Sequence, residues 1–259
     1  MVERLTTLAR VKEYLGLAQV STSDALLSRL IDGASAMITN YVNRNYWAAH
    51  LWNEYYDGRG GNTMMPRNWP VVSVTSLNME GVALSAAAGV PPTNGWMLES
   101  DTGGGPQRIT LRGWSFPRCR SGINLVYTSG YVTSDQAVAA ALVTTSRLWL
   151  ADSGVTYNGA ALQLVSSGPA AGQYSVDSAG NYSFATADAG HAVVISYSYV
   201  PADVEQCCLE MVASKYKAKD RLDISTESLG GQQTVGYTQR DMSPWIKTTL
   251  QPFMSTVPI

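Results

Sequence analysis

The chain has 259 residues, 45% of them hydrophobic and only 15% charged, with a formal net charge of −2. That length holds one large domain or two small ones with a real core, and the sparse charge is typical of chains packed against neighbours. The balance excludes a nucleic-acid clamp, which needs many Lys and Arg gathered on one face.

In chain order, Thr7 caps a short helix from Leu8 to Leu15, with Leu8, Val11 and Leu15 on one face and Gly16 as its stop. Ser21-Thr22-Ser23 then caps a longer helix from Asp24 to about Asn43. Its apolar positions are Leu26, Leu27, Leu30, Ile31, Ala34, Met37, Ile38 and Tyr41. This is the strongest helical periodicity in the chain, and it predicts packing between the two helices.

Residues 46–131 read as a small antiparallel sheet. Tyr55-Tyr56-Asp57-Gly58 is a strand entering a turn, and Val71 to Leu77 is a strand following the corner at Pro66 and Pro70. Glu80-Gly81 fits a tight hairpin turn. Ser85 to Gly105 is rich in Ala, Gly and Pro and predicts a long surface loop. Arg108 to Leu111 and Ile123 to Tyr127 supply two more strands.

Residues 132–199 differ in composition, being poor in charge and rich in Ala, Gly, Ser and Tyr. Asp135 to Leu150 suits either helix or strand. Gln173 to Val176 and Asn181 to Phe184 alternate around the turn Asp177-Ser178-Ala179-Gly180, and Ala192 to Tyr199 is a further strand. Short aromatic strands separated by turns predict a compact sandwich- or barrel-like module. The fold class expected is therefore α+β: a small helical bundle with an antiparallel sheet, plus an inserted all-β module at 132–199. The core would comprise 1–131 and 200–259.

Pro201 at the first helical position opens the last long helix, with Asp203 and Glu205 at its positive end. Val204, Cys208, Met211, Val212 and Tyr216 face inward. Lys215, Lys217, Lys219 and Arg221 crowd its C-terminal end. They read either as complements of the helix dipole or as a contact to a DNA channel or an acidic partner. Ser225 to Gln239 predicts an extended stretch. Ser243-Pro244 caps a final helix bearing Trp245, Ile246 and Leu250, which Pro252 ends.

Catalytic chemistry finds little support. The two histidines, His50 and His191, lie in unlike contexts, and no His/Cys/Asp set has zinc-ligand spacing. Gly58-Arg59-Gly60-Gly61 and Gly103-Gly104-Gly105 lack the strand–loop–helix frame of a phosphate cradle and read as turns. Glu54 and Asp57 form a carboxylate pair of a kind common by chance. Of three cysteines, Cys207 and Cys208 are adjacent, and they read as small buried hydrophobes in a reduced chain. Met1-Val2-Glu3-Arg4 is no signal peptide, and the longest apolar run, Ala137 to Val143, is too short to span a bilayer. Expected are a cytoplasm-like compartment, no cofactor, no metal and no membrane partner.

Several motifs stand out together by their order and spacing. They are Leu5-Thr6-Thr7-Leu8 with Val11-Lys12-Glu13-Tyr14-Leu15-Gly16, and Asp24-Ala25-Leu26-Leu27 leading to Leu30-Ile31-Asp32-Gly33-Ala34-Ser35. Tyr55, Asp57-Gly58 and Pro66-Arg67-Asn68-Trp69-Pro70-Val71-Val72-Ser73-Val74 belong with them. So do Val200-Pro201-Ala202-Asp203-Val204-Glu205-Gln206 and, beyond it, Arg221, Ser225 and Ser228-Leu229-Gly230-Gly231. Together these motifs resemble those of tailed-phage head–tail connector (adaptor) proteins; in that family the end of Tyr127-Thr128-Ser129-Gly130-Tyr131 and the Pro-Ala-Asp helix start lie close together, so 132–199 is the departure.

The resemblance implies a structural virion protein at the head–tail junction and no enzyme. It implies a homo-oligomeric ring, usually of twelve copies, docked on the portal protein. The ring extends the channel through which double-stranded DNA passes, and offers a surface to a tail, stopper or nozzle protein. It also implies a portal contact from the C-terminal segment, here Trp245, Ile246, Leu250, Phe253 and Met254. A near-neutral chain suits that task, since many cations in the channel would resist DNA ejection. Rival readings are a stopper or tail-completion ring protein, and a virion binding module whose β insert recognises carbohydrate through Tyr157, Tyr174 and Tyr182.

Overall fold

The computed structural model describes residues 3–100, 107–219, 226–229, 233–236 and 242–255. The chain divides into a helical unit, Met1–Asn45 with Pro201–Met254, and a β unit, Tyr46–Val200 with Ser255–Ile259. The α+β class is as expected.

In the helical unit, α1 (Leu8–Leu15) is capped by Thr7, whose hydroxyl accepts from the Arg10 amide at 3.3 Å, and Gly16 closes it at φ 70°. α2 (Asp24–Tyr41) buries Leu27, Ile31, Ala34, Ser35 and Ile38, one stripe at helical spacing. Ser23 precedes α2 without capping it through its side chain; its hydroxyl lies 3.0 Å from that of Tyr216 instead.

α3 (Ala202–Ala218) packs on both earlier helices with Val204, Cys207, Cys208, Met211 and Val212. Pro201 is its N-cap rather than its first helical residue. Glu205 is 8% exposed and takes bonds from the Arg10 guanidinium and the Thr6 hydroxyl, so α3 brings a charge inside that α1 neutralises. α4 (Pro244–Leu250) starts as the sequence predicts, with the Ser243 hydroxyl accepting from the Ile246 amide at 3.3 Å and Pro244 at the first position. The α-helix ends at Leu250, just before Pro252, and a 3₁₀ turn, Gln251–Phe253, carries the chain through the proline.

The β unit opens with β1 (His50–Arg59), β2 (Thr63–Met64), β3 (Val71–Met79), β4 (Val82–Leu84), β5 (Gly95–Glu99), β6 (Arg108–Arg112) and β7 (Arg118–Ser129). They form antiparallel sheets of order β1-β7-β3-β4 and β2-β6-β5. Glu80 at φ 48° and Gly81 at φ 86° make the tight turn between β3 and β4. The predicted loop at 85–105 contains β5, whose five residues pair with β6. Trp96 holds β5 in place through Nε1, which donates to the Leu84 carbonyl at 3.1 Å. Inward residues including Tyr56, Leu77, Ile109, Ile123, Leu125 and Tyr127 form one apolar cluster.

The remaining strands are β8 (Val132–Val138), β9 (Val143–Thr144), β10 (Trp149–Tyr157), β11 (Ala160–Ala161), β12 (Gln163–Leu164), β13 (Gln173–Val176), β14 (Asn181–Phe184) and β15 (Ala192–Tyr199). Their sheets are β11-β10-β15-β8 and β12-β13-β14-β9. In the ambiguous stretch 135–150 no residue is helical: 135–138 are strand because β8 finds a full-length partner in β15, 143–144 and 149–150 belong to β9 and β10, and the rest is loop. A second apolar cluster gathers Tyr174, Tyr182, Phe184, Ile195 and Tyr197. The ends of this segment meet: the Tyr199 amide donates to the Tyr131 carbonyl at 2.9 Å, and Val132 pairs with Ser198. The boundaries expected at 131 and 199 fall inside the β unit and separate its two clusters. In the helical unit, β16 (Thr226–Leu229) and β17 (Gln233–Gly236) pair as a hairpin within the stretch predicted to be extended.

Candidate functional site

The C-terminal apolar group divides along the geometry of α4. Ile246 and Leu250, four residues apart, share one face; they are 4% and 0% exposed, and α4 packs on α3. Trp245, one step round the helix, is 48% exposed. Phe253 and Met254 are half-buried, and the Phe253 carbonyl accepts from Arg44 Nε at 2.6 Å. Of the five residues named from the sequence, Trp245 is thus the large side chain turned to solvent. The i, i+4 spacing of Ile246 and Leu250 already carried that distinction.

Of the cations at the end of α3, Lys215 is half-buried, whereas Lys217 and Lys219 are exposed. Lys215 and Lys219 are one turn apart, while Lys217 lies on a different side of the helix. Lys219 Nζ sits 4.4 Å from the centroid of the Tyr216 ring. Arg221, with Asp220 and Asp223, lies outside the described residues.

The other candidates are absorbed by structure. Tyr174 and Tyr182 are 2% and 0% exposed, and their hydroxyls donate to Asp152 at 2.6 and 2.8 Å. Burial and that carboxylate raise both phenols well above their ordinary range. Tyr157 stacks on His191 at 4.5 Å, and His50 stacks on Tyr46 at 3.9 Å. The aromatics singled out for carbohydrate are therefore mainly core.

Glu54 and Asp57 are a pair in sequence only. Glu54 accepts from the Tyr56 hydroxyl, from that of Tyr127 at 2.9 Å and from Asn68 Nδ2 at 3.3 Å, whereas Asp57 accepts from the Ser121 amide at 2.6 Å. Burial pushes the Tyr127 phenol up to about 12. Burial likewise raises the Cys207 and Cys208 thiols to about 11 and 12, which leaves neither an available nucleophile at neutral pH. Among the described residues no group of His, Cys, Asp and Glu is placed to hold a metal, and no helix is long and apolar enough to cross a membrane. Sequence reading missed a set of arginines, Arg59, Arg118 and Arg120, that strand register brings together. Arg118 and Arg120 are two residues apart, but Arg59 lies too far from them in the chain for spacing to reveal the set.

Residues 4–103 match a family model described as Head completion protein. No curated protein sequence matches the chain. Among solved structures, a chain from "Neck of empty GTA particle computed with C6 symmetry" is 15% identical. The alignment covers 98% of this chain and 92% of that one, with a TM-score of 0.43. A chain from "Virion of native gene transfer agent (GTA) particle" is 17% identical over 98% and 91%, with a TM-score of 0.42. One from "Neck of native GTA particle computed with C12 symmetry" is 12% identical over 100% and 97%, also with a TM-score of 0.42. Over residues 4–103, which carry α1, α2 and the strands to β5, the chain is matched by the head completion family, in agreement with the head–tail connector resemblance of its motifs.

Proposed function

We propose that this protein is a structural virion component of the head–tail junction and not an enzyme. It forms a closed ring on the portal, extends the DNA channel and offers a surface to a tail protein. The observation that carries this reading is the head completion match over residues 4–103, continued by connector-like motifs at 200–253. A ring of identical copies makes one repeating heterologous contact, for which α2 and α3 are the candidate walls. Imaging the purified protein with and without portal tests the reading. A particle reconstruction that puts the chain in the capsid shell, or as a lone monomer on a fibre, refutes it. The family description fits a stopper or tail-completion ring equally well; that version is the one supported if the ring binds a preformed connector and not the portal.

In this reading Trp245 is the portal anchor, because an exposed aromatic on a short helix is the kind of residue that dominates an interface. Lys215, Lys217 and Lys219, with Arg221, are the cations offered to a partner or to the channel. Residues 132–199 form an appendage whose ends meet at Tyr131 and Tyr199. Replacing 133–198 by a short Gly/Ser linker then leaves a cooperative thermal transition and the helical circular-dichroism signal. Loss of folding on that deletion defeats the appendage.

A further inference from the structure

Between Tyr46 and Val200 there is no lysine, and all the arginines but Arg147 fall between Arg59 and Arg120. Register decides where they meet. Arg59, the last residue of β1, stands directly opposite Arg118, the first of β7, and Arg120 follows two residues on, on the same face. Like charges opposed across a sheet destabilise the pair. All three side chains belong to exposed residues, and among the described residues none makes a hydrogen bond or ion pair. The Arg118 side chain lies along Gly60, at φ 83°, where a Cβ would stand 2.9 Å from Nε. No neighbouring carboxylate forms an ion pair with the set among the described residues, although Asp57 shares the wall of an adjoining cavity with Arg59. Asp57 accepts from the Ser121 amide, Glu99 pairs with Arg108 at 2.9 Å, and Glu80, beside Gly122, pairs with none of the three among the described residues.

Arg59 also lines a cavity of about 380 Å³ with Arg67 and Arg108, whose other walls include Tyr56, Met64 and Phe116. The Arg67 guanidinium lies 4.6 Å from the centroid of the Tyr56 ring, which fixes one wall. That volume is at the small end of the range for ligand pockets and has room for one inserted side chain. A guanidinium makes its best contacts as a planar fork on a carboxylate or phosphate. Two features favour the carboxylate of a protein. A duplex is a rod that does not enter a cavity of this size, and Arg with Met and aromatic residues is the composition of protein interfaces.

We propose that Arg59, Arg118 and Arg120, with the adjoining cavity, bind an acidic polypeptide segment that carries one apolar anchor side chain among its carboxylates. That the segment belongs to another virion protein rests on the head–tail junction reading; the chemistry of the site does not. Fluorescence anisotropy with a labelled Glu-Glu-Phe-Glu-Glu peptide tests it on the full chain. Saturable binding that weakens with added salt is expected. Arg59→Glu with Arg118→Glu weakens it at least about tenfold, the loss of a charge-assisted fork, with the melting temperature unchanged. Arg59→Lys keeps part of the affinity, and Glu-Glu-Gly-Glu-Glu binds several-fold more weakly because the cavity is left empty. If the double variant unfolds, Arg120→Glu, which has no opposed arginine, gives the same readout. The proposal is overturned by absence of saturable binding, by charge reversal that leaves affinity intact, or by equal binding of the glycine peptide. Tighter binding of a short duplex DNA also overturns it, since phosphate would then be the ligand. A chain that assembles with portal yet ignores the peptide sinks this inference alone.

Discussion

Asp152 is the test of whether buried hydroxyls hold the second β cluster together. Its two oxygens accept from Tyr174 at 2.6 Å and Tyr182 at 2.8 Å, and the Gly154 amide adds a longer bond at 3.3 Å. Both tyrosines are at most 2% exposed, so Asp152→Ala strands two hydroxyls away from water. A hydrogen bond to a charged group contributes about 1.5–3 kcal/mol, so two give about 3–5 kcal/mol after the half-buried carboxylate's own desolvation is recovered. At about 2–4 °C per kcal/mol for a unit of this size, the transition falls by about 10 °C. Tyr174→Phe and Tyr182→Phe each cost less, about 1 kcal/mol, because the carboxylate they abandon still reaches solvent. Asp152→Asn lies between, since the amide oxygen still accepts one hydroxyl. Calorimetry with urea unfolding gives each value. Adding Asp152→Ala to the double Phe variant should cost much less than adding it to the parent. Strict additivity, or an Asp152→Ala cost below about 1 kcal/mol, refutes the network as a stabilising unit.

Four further outcomes follow from other parts of the chain. Gly58→Ala should cost about 3 kcal/mol or prevent folding, measured by urea melts, because a Cβ there would stand 1.8 Å from the Pro117 carbonyl oxygen. Leu250→Ala should destabilise the helical unit by about 2–5 kcal/mol. Trp245→Ala should leave stability nearly unchanged and abolish co-sedimentation with portal rings; retained co-sedimentation defeats the anchor. Cys207 and Cys208 have folded values of about 11 and 12 against 9.0 when free, so the native state holds more protons than the unfolded chain above pH 9. Stability therefore falls as pH rises from about 9, at about 1.4 kcal/mol per unit per thiol. Urea melts at pH 8 and 10 should show that loss, and Cys208→Ala should reduce it.

The local elements were written in the sequence because their signals are local. Thr7 and Gly16 bound α1, Ser243-Pro244 starts α4, Glu80-Gly81 turns β3 into β4, and Asp177 to Gly180 turns β13 into β14, each as read. The α2 stripe needed only its own period to show which face is buried. Stretches without a local signal were settled by partners. Residues 135–138 became strand because β15 supplies a ladder, and 95–99 became strand because β6 does, despite an Ala-, Gly- and Pro-rich setting. The connector resemblance, too, lay in the order of short motifs. Which functional candidates stay available was a tertiary decision. Tyr174 and Tyr182 carry the same letters whether they face a ligand or Asp152, and burial chose Asp152. Arg59 and Arg118 meet only because β1 and β7 pair in one register, a long-range choice made by the inward residues of both strands and not by the arginines themselves.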